Sequence, residues 1–180
     1  MIVIAMTDEN RGDNPLTMIK RLPKNSILIF RHYADPNRMQ LATDVVRACR
    51  KQNVRCLIAG DFRLAHRCRA DGVHVPEYQL RRCPHRRFAP AHWIMTGAAH
   101  NEKSVRLIQQ MGFDAGLLSP VFDTPSHPNA RALGLVTFSA ICHRSTVPVI
   151  ALGGVRAARL LRLQKAGASG IAGIGLFGEK

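Results

Sequence analysis

Short apolar runs recur along the chain at near-regular intervals. Between most of them lies a stretch whose apolar residues fall three or four apart. The runs are Ile2–Met6, Ser26–Phe30, Arg55–Ala59, Asp71–Val75, Trp93–Ala98, Ala115–Leu118, Val147–Leu152 and Gly170–Gly175. Each is short, and most meet Gly, Pro, Asp or Asn at an end, which reads as a strand buried on both faces. The intervening stretches read as helices. Asn14-Pro15 opens one that reaches about Leu22, with Pro well placed at a first helical position. Pro36–Lys51 carries Met39, Leu41, Ala42, Val45, Val46 and Cys49 at helical spacing. Phe62–Cys68, Glu102–Met111, Gly134–Arg144 and Arg156–Ala166 complete the set, and Gly112 is a fitting C-terminal cap. Glu77–Ala89 is polar and basic and reads as loop with one irregular helix.

Eight strands alternating with about seven helices predict parallel strands joined by right-handed crossovers. The expected fold class is therefore α/β, a short (β/α)8 TIM barrel occupying residues 1–180 as a single domain. Its eighth helix is expected to be reduced or missing, because the sequence stops just past strand eight. An open doubly wound sheet is the alternative, but no G-x-G-x-x-G follows strand one. A barrel gathers the ends of its strands on one face, where such enzymes keep their chemistry. Asp8, Arg31, Asp61, His74, Glu77 and His100 stand at those ends, as does the long 119–133 segment. A loop of that length in a compact domain is usually functional. Strand seven runs into Gly153-Gly154 and then a helical pattern, and strand eight ends in Ile174-Gly175. Two such strand ends late in a barrel fit a phosphate cradle, in which glycines allow close approach and backbone N–H groups bind the anion.

Composition narrows the setting. With 46% apolar and 21% charged residues the 180-residue chain is globular and long enough to bury a core. No apolar run is long enough to cross a membrane, and the start MIVIAMTDENRGD lacks the basic segment of a secretory signal. Five scattered cysteines without a C-x-x-C pair suit a reducing compartment, so a cytoplasmic location is expected. The net charge of +14 attracts polyanions, and Arg81–Arg87 (RRCPHRR) is the densest patch. No recognition motif accompanies it, so nucleic acid is not expected as a partner. A helix missing from the barrel would leave an apolar flank that a second copy could cover, giving a homodimer.

Several stretches resemble one family. ADGVHVPE (Ala70–Glu77) is similar to the ADGVHLGQ stretch of thiamine phosphate synthases and to the VHLPE form of TenI-like proteins. LIAGDFRLA (Leu57–Ala65) resembles LIINDR-x-x-LA, and Ser119–Gly134 resembles the GP-[VI]-[FY]-x-T-x-(TS)-K loop. VPVIALGGV and GASGIAGIGLF resemble IP-V-x-AIGGI and GADGVAVVSAI. The set spans almost the whole chain in the family's order.

The resemblance implies a (β/α)8 barrel acting in thiamine biosynthesis. The synthase joins a pyrimidine diphosphate to a thiazole phosphate with Mg2+, whereas TenI-like relatives include a tautomerase that shifts a double bond in a thiazole phosphate carboxylate. The synthase pattern's two metal-binding Asp fall on Asp61 and Gln79, its loop Lys on His127, one Ser on Ala98 and its last Ser on Gly175. Mg2+ prefers hard, anionic oxygen, so Asp61 alone makes a weak metal site. His127 carries charge only part of the time near neutral pH. Thr124 and Ser126 keep hydroxyls at loop positions, and His100 matches the acid/base His of the tautomerases.

The expected function is thus TenI-like: binding of a thiazole phosphate and proton transfer by His100, with Glu77 and His127 as further catalytic candidates. Arg31, Thr124, Ser126, Gly153, Gly154, Ile174 and Gly175 are the substrate- and phosphate-binding candidates. Mg2+ enters as a cofactor only if the chain is the synthase, which is the first alternative. The second alternative is a phosphate-ligand binder without turnover. The ligand is a small phosphorylated thiazole or pyrimidine, with no membrane involved.

Overall fold

A computed structural model describes residues 1–12, 14–124 and 131–174. Eight parallel strands close into a barrel in sequence order, with β1 paired to both β2 and β8. The strands are β1 (Ile2–Met6), β2 (Ile27–Phe30), β3 (Arg55–Ala59), β4 (Gly72–Val75), β5 (Ile94–Ala99), β6 (Ala115–Leu118), β7 (Val149–Ala151) and β8 (Gly170–Gly173). The helices among the described residues are α1 (Pro15–Arg21), α2 (Arg38–Lys51), α3 (Phe62–Arg67), α4 (Glu102–Gln110), α5 (Gly134–Arg144) and α6 (Leu160–Lys165). None of them is long and apolar enough to cross a membrane.

Two departures from the sequence pattern have physical causes. No α-helix joins β4 to β5. The segment holds two 3₁₀ turns, Glu77–Gln79 and Arg86–Phe88, in place of one irregular helix. Pro84 and Pro90 interrupt any longer helix there. Arg86 ties the segment down instead: its guanidinium donates to the carbonyls of Pro90, Ala91 and Trp93 and to Asp114. The helix after β7 likewise begins as a 3₁₀ turn, Ala157–Arg159, that has no side-chain cap.

The apolar residues sort into two layers. Ile4, Met6, Ile27, Ile29, Leu57, Leu117, Ile150 and Ala172 fill the barrel, while the alternate residues of each strand pack outward against the helices. Strand alternation produces this division. The register sets His74 of β4 beside Thr96 of β5 on the inner face, where Nδ1 and the hydroxyl lie 2.9 Å apart. His74 is therefore a hydrogen-bonded core group, as the alternating strand pattern allowed.

At the base of the barrel an aspartate precedes β4 and another precedes β6. Asp71 accepts the Cys56 N–H at 2.7 Å and donates its own N–H to the Cys56 carbonyl at 2.9 Å. Asp114 does the same to Met95, at 2.7 and 2.8 Å. Each aspartate thus clamps the preceding strand at two points. At the opposite end, continuing the inward phase by two residues brings Asp8, Arg31, Asp61, His100, Ser119 and Gly154 to the mouth.

Candidate active site at the barrel mouth

β5 ends at Ala99, and His100 is the next residue. Asn101 then caps α4 by accepting the Ser104 N–H at 3.0 Å. On the neighbouring strand, Pro76 ends β4 and sets Glu77 at the head of a 3₁₀ turn. One Glu77 oxygen, Oε2, holds His100 Nδ1, and the other, Oε1, accepts the Ser104 hydroxyl. The side chains of His100 and Glu77 are 49% and 30% exposed, so the ring is held but still reachable by a ligand. Burial pushes the Glu77 carboxyl up, but the hydrogen bonds from Ser104 and His100 outweigh it and hold the pKa below the usual carboxylate value. With a carboxylate on Nδ1, the neutral ring keeps its proton there and presents a lone pair at Nε2. Sequence reading named His100 and Glu77 but missed Ser104. The available signal was its place three residues after a capping Asn, on the helix end nearest β5.

Asp61 follows β3. Its Oδ1 caps α3 by accepting the Leu64 N–H at 2.8 Å, and its Oδ2 lies 3.3 Å from the Arg38 guanidinium. Arg38 also donates to the Ala59 carbonyl at 2.8 Å and stacks over the Tyr33 ring, 5.4 Å from its centroid. Gln79 is close by: a Cβ placed on Gly60 would lie 3.4 Å from its amide nitrogen. Gln79 thus lies against Gly60, the residue before Asp61. Asp61 and Gln79 do not fit a divalent ion. Both Asp61 oxygens have donors, Gln79 is uncharged, and no group of three His, Cys, Asp or Glu among the described residues could hold a metal. Sequence reading missed Arg38, which no motif marks.

Arg31 follows β2 and is half-buried. Its N–H donates to the Thr7 hydroxyl at 2.9 Å, while its guanidinium has no carboxylate partner among the described residues. Asp8, at the end of neighbouring β1, caps a 3₁₀ turn by accepting the Asn10 N–H at 3.1 Å. The predicted cradle follows β7. Gly153 and Gly154 have φ of 91° and 62°, so their conformation favours glycine. They also have a packing reason to be glycine. A Cβ on Gly153 would lie 2.8 Å from Pro120 Cα, and one on Gly154 would lie 2.5 Å from the Asp123 carbonyl oxygen. The segment after β6 is laced onto β7 by Val121 N–H to Leu152 O and Phe122 N–H to Gly153 O.

Gly154→Val is accordingly expected to destabilise the fold by about 2–5 kcal/mol, from left-handed strain plus the clash. Urea unfolding checks this, and a change below 1 kcal/mol would refute the packing argument. Neither glycine N–H donates to an acceptor among the described residues. Ile174 packs its side chain on the inner cluster, which leaves only its backbone for phosphate. Thr124 lies directly after Asp123 in the same segment. Ser126, His127 and Gly175 lie outside the described residues.

The basic patch at 81–87 is partly structural, since Arg86 is engaged as above and Arg87 stacks on Phe88, 4.7 Å from the ring centroid.

The model of the thiamine monophosphate synthase family matches residues 2–177. The chain belongs to this family. Among relatives of the thiamine monophosphate synthase family, a putative thiamine-phosphate synthase 2 of Aquifex aeolicus is 33% identical, over 97% of this chain and 96% of its own. A thiamine-phosphate synthase of Bacillus velezensis is 25% identical, over 99% of this chain and 83% of its own. The thiamine phosphate pyrophosphorylase structure from Pyrococcus furiosus superposes with a TM-score of 0.78 at 19% identity, covering 97% of this chain and 85% of that one. The barrel is thus the family's fold. The relatives' names favour the synthase reading over the tautomerase reading drawn from the sequence.

Proposed function

We propose that this family member binds a thiazole phosphate at the barrel mouth and moves a proton with His100, as TenI-like tautomerases do. The observation that carries the reading is the Glu77 carboxylate on His100 Nδ1, itself held by Ser104. Shifting a double bond breaks one C–H bond and forms another with no net change in protons. A single positioned base, His100 Nε2, can take the proton and return it. Arg31 and the N–H groups of Gly153 and Gly154 are proposed to hold the anionic ends of the ligand. Thr124, Ser126, His127 and Gly175 are proposed to complete the phosphate end from the segments that follow β6 and β8.

The second reading is condensation of a pyrimidine diphosphate with the thiazole phosphate. The names of the relatives favour it. The residues at the metal positions, Asp61 engaged by Arg38 and an uncharged Gln79, count against it. Calorimetric titration separates the two. Binding of thiazole phosphate carboxylate that is indifferent to Mg2+, followed by deuterium uptake from D2O into the ring, is the expected result. Strong Mg2+-dependent binding of the pyrimidine diphosphate would transfer the assignment to the synthase. Binding without exchange or condensation would reduce the protein to a ligand carrier.

A further inference from the structure

At the position that the family pattern reserves for a metal, the carboxylate of Asp61 already holds a cation of this chain, Arg38. The resemblance gives that position two carboxylates around a divalent ion, a neutral set. Here one carboxylate is an amide, Gln79, and the cation carries a single charge, so the set of Arg38, Asp61 and Gln79 is again neutral. The lost negative charge and the lost positive charge match.

Three further observations agree. Arg38 is the first residue of the 14-residue α2, where the positive end of the helix disfavours a cation, so its placement needs another reason. That helix start has no side-chain cap, and the N–H groups of Met39 and Gln40 donate to no acceptor among the described residues. The buried Nε of Arg38 also has no hydrogen-bond partner among the described residues. The side chain is 18% exposed, and its guanidinium gives one hydrogen bond to Asp61 and one to Ala59, so donors remain. Arg31 lies on the same side, since it follows β2, the strand paired to the β3 that Asp61 follows.

We propose that Arg38 replaces the divalent ion, so that this rim of the barrel binds a phosphate or diphosphate group through Arg38, Arg31 and the open start of α2 without any metal. A planar guanidinium can grip two phosphate oxygens at once, as a metal ion would bridge them. Asp61 fixes the guanidinium in place, which is its function here in addition to capping α3.

The probe is inorganic pyrophosphate, titrated calorimetrically into the whole protein with excess Mg2+ and again with EDTA. The expected result is the same affinity in both, within about threefold. Tightening by Mg2+ of about tenfold or more, or no binding in either buffer, would overturn the proposal. Arg38→Gln is expected to weaken binding at least about tenfold, with Arg38→Lys losing less; undiminished affinity in Arg38→Gln would also overturn it. Because removing Arg38 leaves Asp61 unpaired, circular dichroism must first confirm that each variant folds, and the wild-type comparison stands whether or not they do. Arg38→Ala combined with Gln79→Asp rebuilds the two-carboxylate pattern and is expected to make pyrophosphate binding Mg2+-dependent. A folded double variant indifferent to Mg2+ would count against the replacement. The proposal goes beyond proton transfer at His100: pyrophosphate binding is read without thiazole, so failure of the turnover assay leaves it standing.

Discussion

His100→Ala is expected to lower thiazole-phosphate turnover by about 10²–10⁴-fold, the usual range for a lost general acid–base group, while leaving the fold intact. The ring is half exposed and packs in neither apolar layer, so little stability depends on it. Glu77 keeps its bond from Ser104 when the ring is removed. The measurement is solvent deuterium exchange into the ligand, paired with a thermal melt. Unchanged exchange in a folded variant would remove the acid–base assignment. Acid should act on the same pair through Glu77. Its pKa is held below the usual carboxylate value, so the stabilisation of the His100–Glu77–Ser104 set is fully present above the ordinary carboxylate range. It is lost as pH falls through the depressed folded value, and the ring loses its orientation in that acid range.

His74 predicts the second large effect. Burial, aided by the charge of Arg31, lowers its pKa to about 3 from an ordinary 6.5. The unfolded chain therefore takes up a proton near pH 6.5 that the native chain refuses until about pH 3. Stability therefore decreases as pH is lowered wherever the unfolded state binds more protons. Across that window the loss attributable to this one group reaches up to about 5 kcal/mol at 1.36 kcal/mol per unit. His74→Gln keeps a polar partner for Thr96 and cannot be protonated. The variant is expected to lose about 2 kcal/mol less than the wild type between pH 7 and pH 5, measured by urea unfolding at both values. An equal loss in the two proteins would show that His74 is not the group responsible.

The fold was legible because its information is local. Eight apolar runs with punctuation at their ends set the strands, and their alternation with helical spacing set the barrel. The site was legible only in part. Glu77 and His100 lie 23 residues apart and could be placed on one face by strand ends, but their contact depends on where Pro76 turns the chain. Asp61 read equally as a helix cap and as a metal ligand, and only the packing of α2 shows that Arg38 reaches it. Arg38 is one of 20 arginines, so nothing in its immediate sequence distinguishes it from those on solvated faces. The Gly153-Gly154 pair read as a ligand cradle, whereas its tightest constraint is the chain segment lying on it. The segment from Glu77 to Ala89 carried no helical period strong enough to predict a regular helix, and Arg86 supplies the order that periodicity lacked.

The two aspartates at the base have a consequence for how this barrel can change over time. A slip of one residue between β3 and β4, or between β5 and β6, would turn His74 or Thr96 out of the interior and invert every neighbour on that strand. Asp71 and Asp114 oppose such a slip from the end remote from the ligand, each binding one residue of the adjoining strand by both its N–H and its carbonyl. Alignment of these strand pairs is thus secured without help from the mouth. Substitutions among rim residues can alter what is bound while the frame beneath keeps its alignment. An arginine standing at a metal position is the kind of exchange such a frame tolerates.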